Sequence, residues 1–348
     1  MDKVLFVTSI YRTGEKLFPI IPELVKHFSV DLLTVNEMCF DYEWYGNKDL
    51  RLEFFDRWGD YFDESYETSF KDVKAGKLDL TPYKFILLDD LRPRYNLDKF
   101  YDFAKKCGTP VIANTHGNIG KPHVPNGYQK SFDKVFVMGQ SEYDRDKDNV
   151  PEGTMIKGGL PSSDKLKDID KTGEHILVIC NFLGNRWGPF EKFDRKLVVK
   201  LKVKELQDEL DLPIKFKLKS RADHPYPQKD FQFIDSISRD LKYETIMDIG
   251  DDSELIAKSK IVIAPPSTMG FKSIQKNIPT IMIKEIGDVA LFDSFPDLYS
   301  MEDDLLSIYL DKINGGVDYS DFVKGSIEGG FTFTSTEIYM KELLKLWI

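Results

Sequence analysis

One recurring unit constrains this chain more than any other feature. A short apolar run stops at a polar or glycine-bearing loop, a stretch with helical spacing follows, and another apolar run begins. Val4-Leu5-Phe6-Val7 leads into the loop Ser9-Ile10-Tyr11-Arg12-Thr13-Gly14, and residues 16–27 then place Leu17, Ile20, Ile21, Leu24 and Val25 at helical spacing. Val30-Asp31-Leu32-Leu33-Thr34-Val35 is strand-like again. Such runs suit strands buried on both faces. Strand–helix–strand units with right-handed crossovers build parallel sheets.

The pattern continues with Phe85-Ile86-Leu87-Leu88, a helix over 97–107, the run Pro110-Val111-Ile112-Ala113 and the run Val135-Phe136-Val137-Met138-Gly139. A helix is expected to start at Ser141, and residues 156–161 close the half. Residues 38–80 are rich in aromatics and acids without a clear period, and read as an irregular or helical insertion. Residues 162–173 are polar and read as a linker. The same grammar then restarts. Strands are expected at 175–180, 214–218, 261–264 and 280–283, with helices over about 191–210 and 254–258 and at 335–347. The expected division is therefore 1–161, a linker 162–173, a second domain 174–330 and a C-terminal segment 331–348.

The 348 residues fit two domains of roughly 150–170 residues better than one. A hydrophobic content of 41% is enough for two packed cores. Mean hydropathy is −0.35, and no apolar run approaches the ~20 residues of a membrane span. The opening MDKVLFVTS has too short an apolar run for a signal peptide and reads as a first strand. Cys39, Cys107 and Cys180 form neither a metal pattern nor an even disulfide set, which points to a reducing cytoplasm. A formal charge of −10 argues against nucleic acid as the main partner.

In open α/β sheets, ligands bind beyond the carboxyl ends of the strands, so the loops there are the candidate site. Ala264-Pro265-Pro266-Ser267-Thr268-Met269-Gly270 follows a strand and opens a helix. The prolines stop the strand, Ser267 or Thr268 can cap the helix, and first-turn amides can hold an anion, particularly a phosphate. The loop is not a Walker loop, because no Gly-Lys-Ser/Thr ending follows. "KFKLKSRADHP" puts Lys217, Lys219 and Arg221 on one face of a strand, with His224 beyond, where they can meet a diphosphate. A solvated basic edge strand would look the same. "NTHGNIGKPH" leaves the strand at 110–113 with His116, Gly117 and Lys121. A neutral histidine there can take a proton from a hydroxyl, Gly117 allows close backbone approach, and Lys121 can steady an anion. Gly184 and Arg186, and Thr13 and Gly14, occupy corresponding loops as donor or acceptor contacts. His27 and His175 are read as structural, and no metal-ligand set or resident cofactor is expected.

The order of these signals resembles the GT-B class of nucleotide-sugar-dependent glycosyltransferases, nearest to the branch of CDP-glycerol glycerophosphotransferases and UDP-GlcNAc 2-epimerase-like folds. The motifs "HGNIGKP", "FDKVFVMGQSEYDR", "GGLPSSDKL", "SRADHP" and "DDSELIAKSKIVIAPPSTMGFKSIQKNIPTIMI" carry the resemblance. It implies an α/β protein of two Rossmann-like domains facing a cleft, with a C-terminal helix crossing back to the first domain. It implies a donor diphosphate on Ser267, Thr268, Met269 and Gly270, phosphate contacts from the basic-His-Pro motif, and His116 as base. Between His-Gly and Lys121, Asn118-Ile119-Gly120 departs from the glycerophosphotransferase spacing, and no ribose-binding glutamate stands out.

The implied activity is metal-independent transfer of a sugar from a nucleoside-diphosphate donor to a hydroxyl acceptor. A CDP-polyol phosphotransferase or UDP-sugar epimerase of the same fold is the nearest alternative. A phage DNA-base glycosyltransferase and a non-catalytic nucleotide-binding module are further ones.

Overall fold

The computed structural model describes residues 1–8, 17–35, 55–68, 72, 75, 77–88, 97–115, 132–180, 199–218, 234–235, 238–246, 252–284 and 295–346. The chain divides into two compact units, Met1–Asp164 with Lys324–Ile348, and Lys165–Val323. Each unit is built on one parallel sheet.

The first sheet contains β1 (Lys3–Thr8), β2 (Ser29–Val35), β3 (Ser65–Thr68), β4 (Tyr83–Leu88), β5 (Val111–Asn114), β6 (Lys134–Val137) and β7 (Met155–Lys157), in the order β3-β2-β1-β4-β5-β6-β7. Successive residues of its inner strands point to opposite faces, and both faces are covered. Leu5, Val7, Ile86, Leu88, Val111 and Val135 belong to one core. Val4, Phe6, Phe85, Leu87, Ile112 and Phe136 belong to the other. This double burial is why these strands are continuous apolar runs in the sequence.

The second sheet contains β8 (His175–Cys180), β9 (Ile214–Leu218), β10 (Tyr243–Ile246), β11 (Ser259–Ala264), β12 (Thr280–Ile283) and β13 (Leu298–Tyr299), in the order β10-β9-β8-β11-β12-β13. That is the doubly wound order of a Rossmann sheet. Ile176, Val178, Ile214, Phe216, Ile261 and Ile263 pack with Val203 and Leu206 of the helix Val203–Leu210, and with Leu305 and Tyr309 of the helix Leu305–Gly315.

The C-terminal helix Ser335–Lys345 returns to the first unit, where Tyr339, Met340 and Leu343 join the core around Val4 and Phe6. The "GGLPSSDKL" motif anchors it. The Asp164 carboxylate accepts hydrogen bonds from the amides of Ser335 (3.2 Å) and Thr336 (2.6 Å) at the helix start. Burial raises the carboxyl above its ordinary value, against the pull of those bonds, which favour the charged form. Leu160 N–H donates to Ser335 Oγ at 2.9 Å. Tyr339 stacks on Phe136 with ring centroids 4.0 Å apart, and its hydroxyl donates to Asn114 Oδ1 at the end of β5. Gly158 leaves room for this stack, since a Cβ there would sit 2.7 Å from Phe136 Cδ1 and closer still to the Tyr339 ring.

Several expectations change. The helix expected over 16–27 reduces to a 3-10 turn Phe18–Ile20 and a helix Ile21–Leu24, each with a proline at its start, where proline fits. The helix expected over 191–210 is broken in its described part: Val199 and Lys200 are helical, Lys202 takes a left-handed conformation (φ 54°), and the helix Val203–Leu210 follows. The stretch 38–80, expected to be irregular or helical, holds β3 at the sheet edge. β9 is no edge strand, because β10 covers its outer side. Within 162–173, the 3-10 helix Pro161–Asp168 buries Leu166.

Candidate functional site

Each sheet has a switch point where chain connections diverge: β1 beside β4, and β8 beside β11. Crevices form beyond the carboxyl ends of such strands. In the second unit that place is marked by the end of β11, where Pro265-Pro266-Ser267 turns the chain into the helix Thr268–Gln275.

Ser267 has extended backbone (φ −160°, ψ 164°), as an N-cap requires, and its Oγ accepts from Gly270 N–H at 3.3 Å. The first intrahelical bond runs from Phe271 N–H to the Ser267 carbonyl at 3.1 Å. The amides of this first turn precede the first intrahelical bond and point along the axis beyond the end of β11. The first turn carries no acidic residue, so the positive end of the helix dipole is not offset there. Gly270 also serves packing, since a Cβ at this position would lie 2.5 Å from Met282 Cε on β12. At the other end, Asn277 adopts φ 55° and Ile278 N–H donates to the Ser273 carbonyl at 3.0 Å, which closes the helix. Ser273 Oγ donates to the Gly270 carbonyl (2.8 Å) and accepts from Thr280 Oγ1 (2.9 Å). The loop is thus held by buried hydrogen bonds on a rigid helix.

Lys217 is buried on β9 instead of lining an open strand face. Its ammonium stands 3.4 Å from Asp252 Oδ1 and donates to the Leu218 carbonyl at 3.2 Å. Lys219, Arg221 and His224 follow it, and lie outside the described residues, as do Gly184 and Arg186, and Thr13 and Gly14.

In the first unit, β5 ends at Asn114, whose side-chain amide donates to the Thr115 carbonyl at 2.9 Å. Thr115 N–H donates to the Phe136 carbonyl at 3.0 Å. The chain is therefore fixed by β6 and the C-terminal helix up to the residue before His116. His116, Gly117 and Lys121 lie outside the described residues.

His175, read as structural, is buried at the start of β8. Its Nε2 lies 3.0 Å from the Leu255 carbonyl and 3.1 Å from Ser259 Oγ. Burial first, and the Lys215 charge second, push its pKa down to about 4. Among the described residues there is no group of three or more His, Cys, Asp or Glu side chains placed to hold a metal, and no helix is long and apolar enough to cross a membrane.

Solved structures share this architecture over the whole chain. The UDP-GlcNAc 2-epimerase of Neisseria meningitidis bound to UDP-GlcNAc matches with a TM-score of 0.64 at 12% identity, covering 99% of this chain and 100% of its own. The chain has the GT-B fold. HepE of Anabaena in complex with UDP and glucose matches with a TM-score of 0.60 at 10% identity, covering 99% of both chains. A glycosyltransferase of Rickettsia africae matches with a TM-score of 0.58 at 12% identity, covering 99% of this chain and 97% of its own. At such identities the likeness is one of fold. No family model matches the sequence, and no curated protein matches it. In this GT-B chain, the described residues include the expected loop Ser267–Gly270, and its Ser267 cap stands at a switch point.

Proposed function

We propose that the protein is a glycosyltransferase that moves a sugar from a nucleoside-diphosphate donor to a hydroxyl acceptor. The observation that carries this reading is the Ser267-capped helix leaving β11 next to β8, the position and polarity suited to a diphosphate. In this reading the donor diphosphate rests at the start of that helix, on Ser267, Thr268, Met269 and Gly270. Lys219, Arg221 and His224 meet the negative charge that grows on the departing nucleotide. The bond between the anomeric carbon and the phosphate oxygen breaks, a new bond to the acceptor oxygen forms, and His116 takes the acceptor proton. Gly184 and Arg186 contact the donor; Thr13, Gly14, Gly117 and Lys121 contact the acceptor or the phosphates. Neighbours solved with UDP or a UDP-sugar support a nucleotide-linked ligand.

A second reading, epimerisation of a UDP-sugar, is favoured by the fuller match to the Neisseria epimerase than to the Rickettsia glycosyltransferase. Thermal unfolding with UDP, CDP, GDP and ADP identifies the base, since a ligand that binds the folded state raises the melting temperature. Incubation with the matching nucleotide-sugar then separates the readings. A transferase consumes the donor only when an acceptor pool is added, whereas an epimerase forms the isomeric sugar without one. If no nucleoside diphosphate shifts the melting temperature, both readings fail.

A further inference from the structure

The buried hydrogen bonds at the end of β5 form one chain that starts on the C-terminal helix and ends on the residue before His116. Tyr339 of the helix Ser335–Lys345 holds this chain at two points. Its ring stacks on Phe136 of β6, with centroids 4.0 Å apart, and its hydroxyl donates to Asn114 Oδ1. Burial raises the pKa of that hydroxyl well above its ordinary value, so it stays protonated and donates. Asn114 passes the bond on, since its Nδ2 donates to the Thr115 carbonyl at 2.9 Å. The Phe136 carbonyl accepts from Thr115 N–H at 3.0 Å. Both backbone groups of Thr115 are thus held by residues that Tyr339 touches, and Asn114, Thr115 and Tyr339 are all buried.

Packing alone does not require this polarity. A phenylalanine would stack on Phe136 equally well, and an apolar residue would fill the place of Asn114. Burying a hydroxyl and an amide costs free energy that their hydrogen bonds return only in part. What the pair adds is direction. The β5–β6 register ends at Asn114, opposite Phe136, and beyond it a side chain takes over the work of the ladder. A peptide group is planar, so fixing the Thr115 carbonyl fixes the plane in which the chain enters His116. Asparagine suits the task because one planar group accepts from Tyr339 and donates to Thr115 at once.

We propose that Tyr339 and Asn114 are positioning residues, which fix the peptide entering His116 and so hold the base within reach of the acceptor hydroxyl. The proposal rests on the reading of His116 as the base given above. Proton transfer needs hydrogen-bond reach, and a misplacement of about 1 Å costs on the order of 100-fold in rate. A side chain far from the chemistry, on the last helix of the chain, therefore bears on turnover without touching the substrate.

The test is a double-mutant cycle on kcat in the full chain, with UDP-GlcNAc as donor and an acceptor pool. Should the thermal panel select another base, a sugar nucleotide of that base replaces UDP-GlcNAc. The variants are Tyr339→Phe, and Tyr339→Phe combined with Asn114→Leu, each with and without His116→Ala. Tyr339→Phe keeps the stacked ring and removes the hydroxyl alone. It is expected to lower kcat about tenfold, and the combined variant to lower it further, with UDP affinity unchanged by calorimetry. The melting temperature of the combined variant is expected to stay near that of the wild type, because both buried polar partners have been replaced by apolar groups. In the His116→Ala background neither change is expected to lower kcat again, since residues that act through one group do not add. Equal losses in both backgrounds would mean that Tyr339 acts on something other than His116, and would overturn the proposal. Wild-type kcat in both variants, with His116→Ala slow, would also overturn it while the base reading stands. If His116→Ala transfers at the wild-type rate, the base reading falls and takes the proposal with it. If the wild type transfers no sugar, the transfer reading fails and so does the proposal.

Discussion

Lowering the pH from 7 to 5 should destabilise the second unit through one buried histidine. In the unfolded chain His175 has a pKa of about 6.5. In the fold, its burial at the start of β8, with Lys215 adding repulsion, brings the value down to about 4. The fold therefore favours the neutral ring, which sits between the Leu255 carbonyl and Ser259 Oγ. Between those two pKa values the unfolded chain binds the proton and the folded chain does not. Stability from this group is thus complete above pH 6.5 and is lost as pH falls toward 4. At pH 5 the imbalance amounts to ~2 kcal/mol relative to pH 7, and the full loss below pH 4 to ~3 kcal/mol. The assay is urea denaturation followed by circular dichroism at both pH values, for the wild type and His175→Gln. Glutamine keeps a donor for the Leu255 carbonyl and has no proton to gain. The quantity compared is the change between pH 7 and 5 within each protein, so any constant effect of the substitution cancels, as do carboxylates that titrate alike in both. The wild type should lose about 2 kcal/mol more than the variant over this interval. Equal losses would refute the reasoning, because they would mean that the fold does not hold His175 neutral.

Three other outcomes are expected. Gly158→Ala drives a methyl group into the stacked rings of Phe136 and Tyr339, and should cost about 1–3 kcal/mol in chemical denaturation and speed proteolysis of the C-terminal helix. Asp164→Ala removes the acceptor for the Ser335 and Thr336 amides, and should lower stability by about 1–2 kcal/mol, with faster amide exchange in the first turn of that helix. His116→Ala should reduce the turnover of a matching donor and acceptor by about 100-fold or more while leaving nucleoside diphosphate affinity unchanged. Transfer at the wild-type rate would rule His116 out as the base.

The candidate site was only partly legible. Ser267 could be read from sequence because a cap is local: two prolines end a strand, and a serine starts a helix within the same few residues. Gly270 was expected at the donor diphosphate, and its second role, leaving room for Met282 from the next strand, could not be read from the local sequence. Lys217 read as part of an exposed basic face, but its partner Asp252 is 35 residues away and its outer neighbour β10 carries no apolar run.

The division between what the sequence determined by itself and what only tertiary structure decided follows the sheets. The inner strands β1, β2, β4, β5 and β6, and β8, β9, β11 and β12, were legible because each has neighbours on both sides and carries a buried apolar set. The strands not expected, β3, β7, β10 and β13, lie at the sheet edges. Ser65-Tyr66-Glu67-Thr68 and Tyr243-Glu244-Thr245-Ile246 take their strand conformation from hydrogen bonds to one neighbour, and their side chains carry little of that instruction. The same holds for the C-terminal helix. Its amphipathic spacing marked it as a helix, but its seat on the first unit depends on Asp164, Leu160, Gly158 and Asn114, more than 170 residues earlier. Burial writes itself into composition at each position. A partner brought from far along the chain does not, and that is why the alternating grammar was readable while the seat of the last helix and the pairing of Lys217 with Asp252 needed the folded molecule.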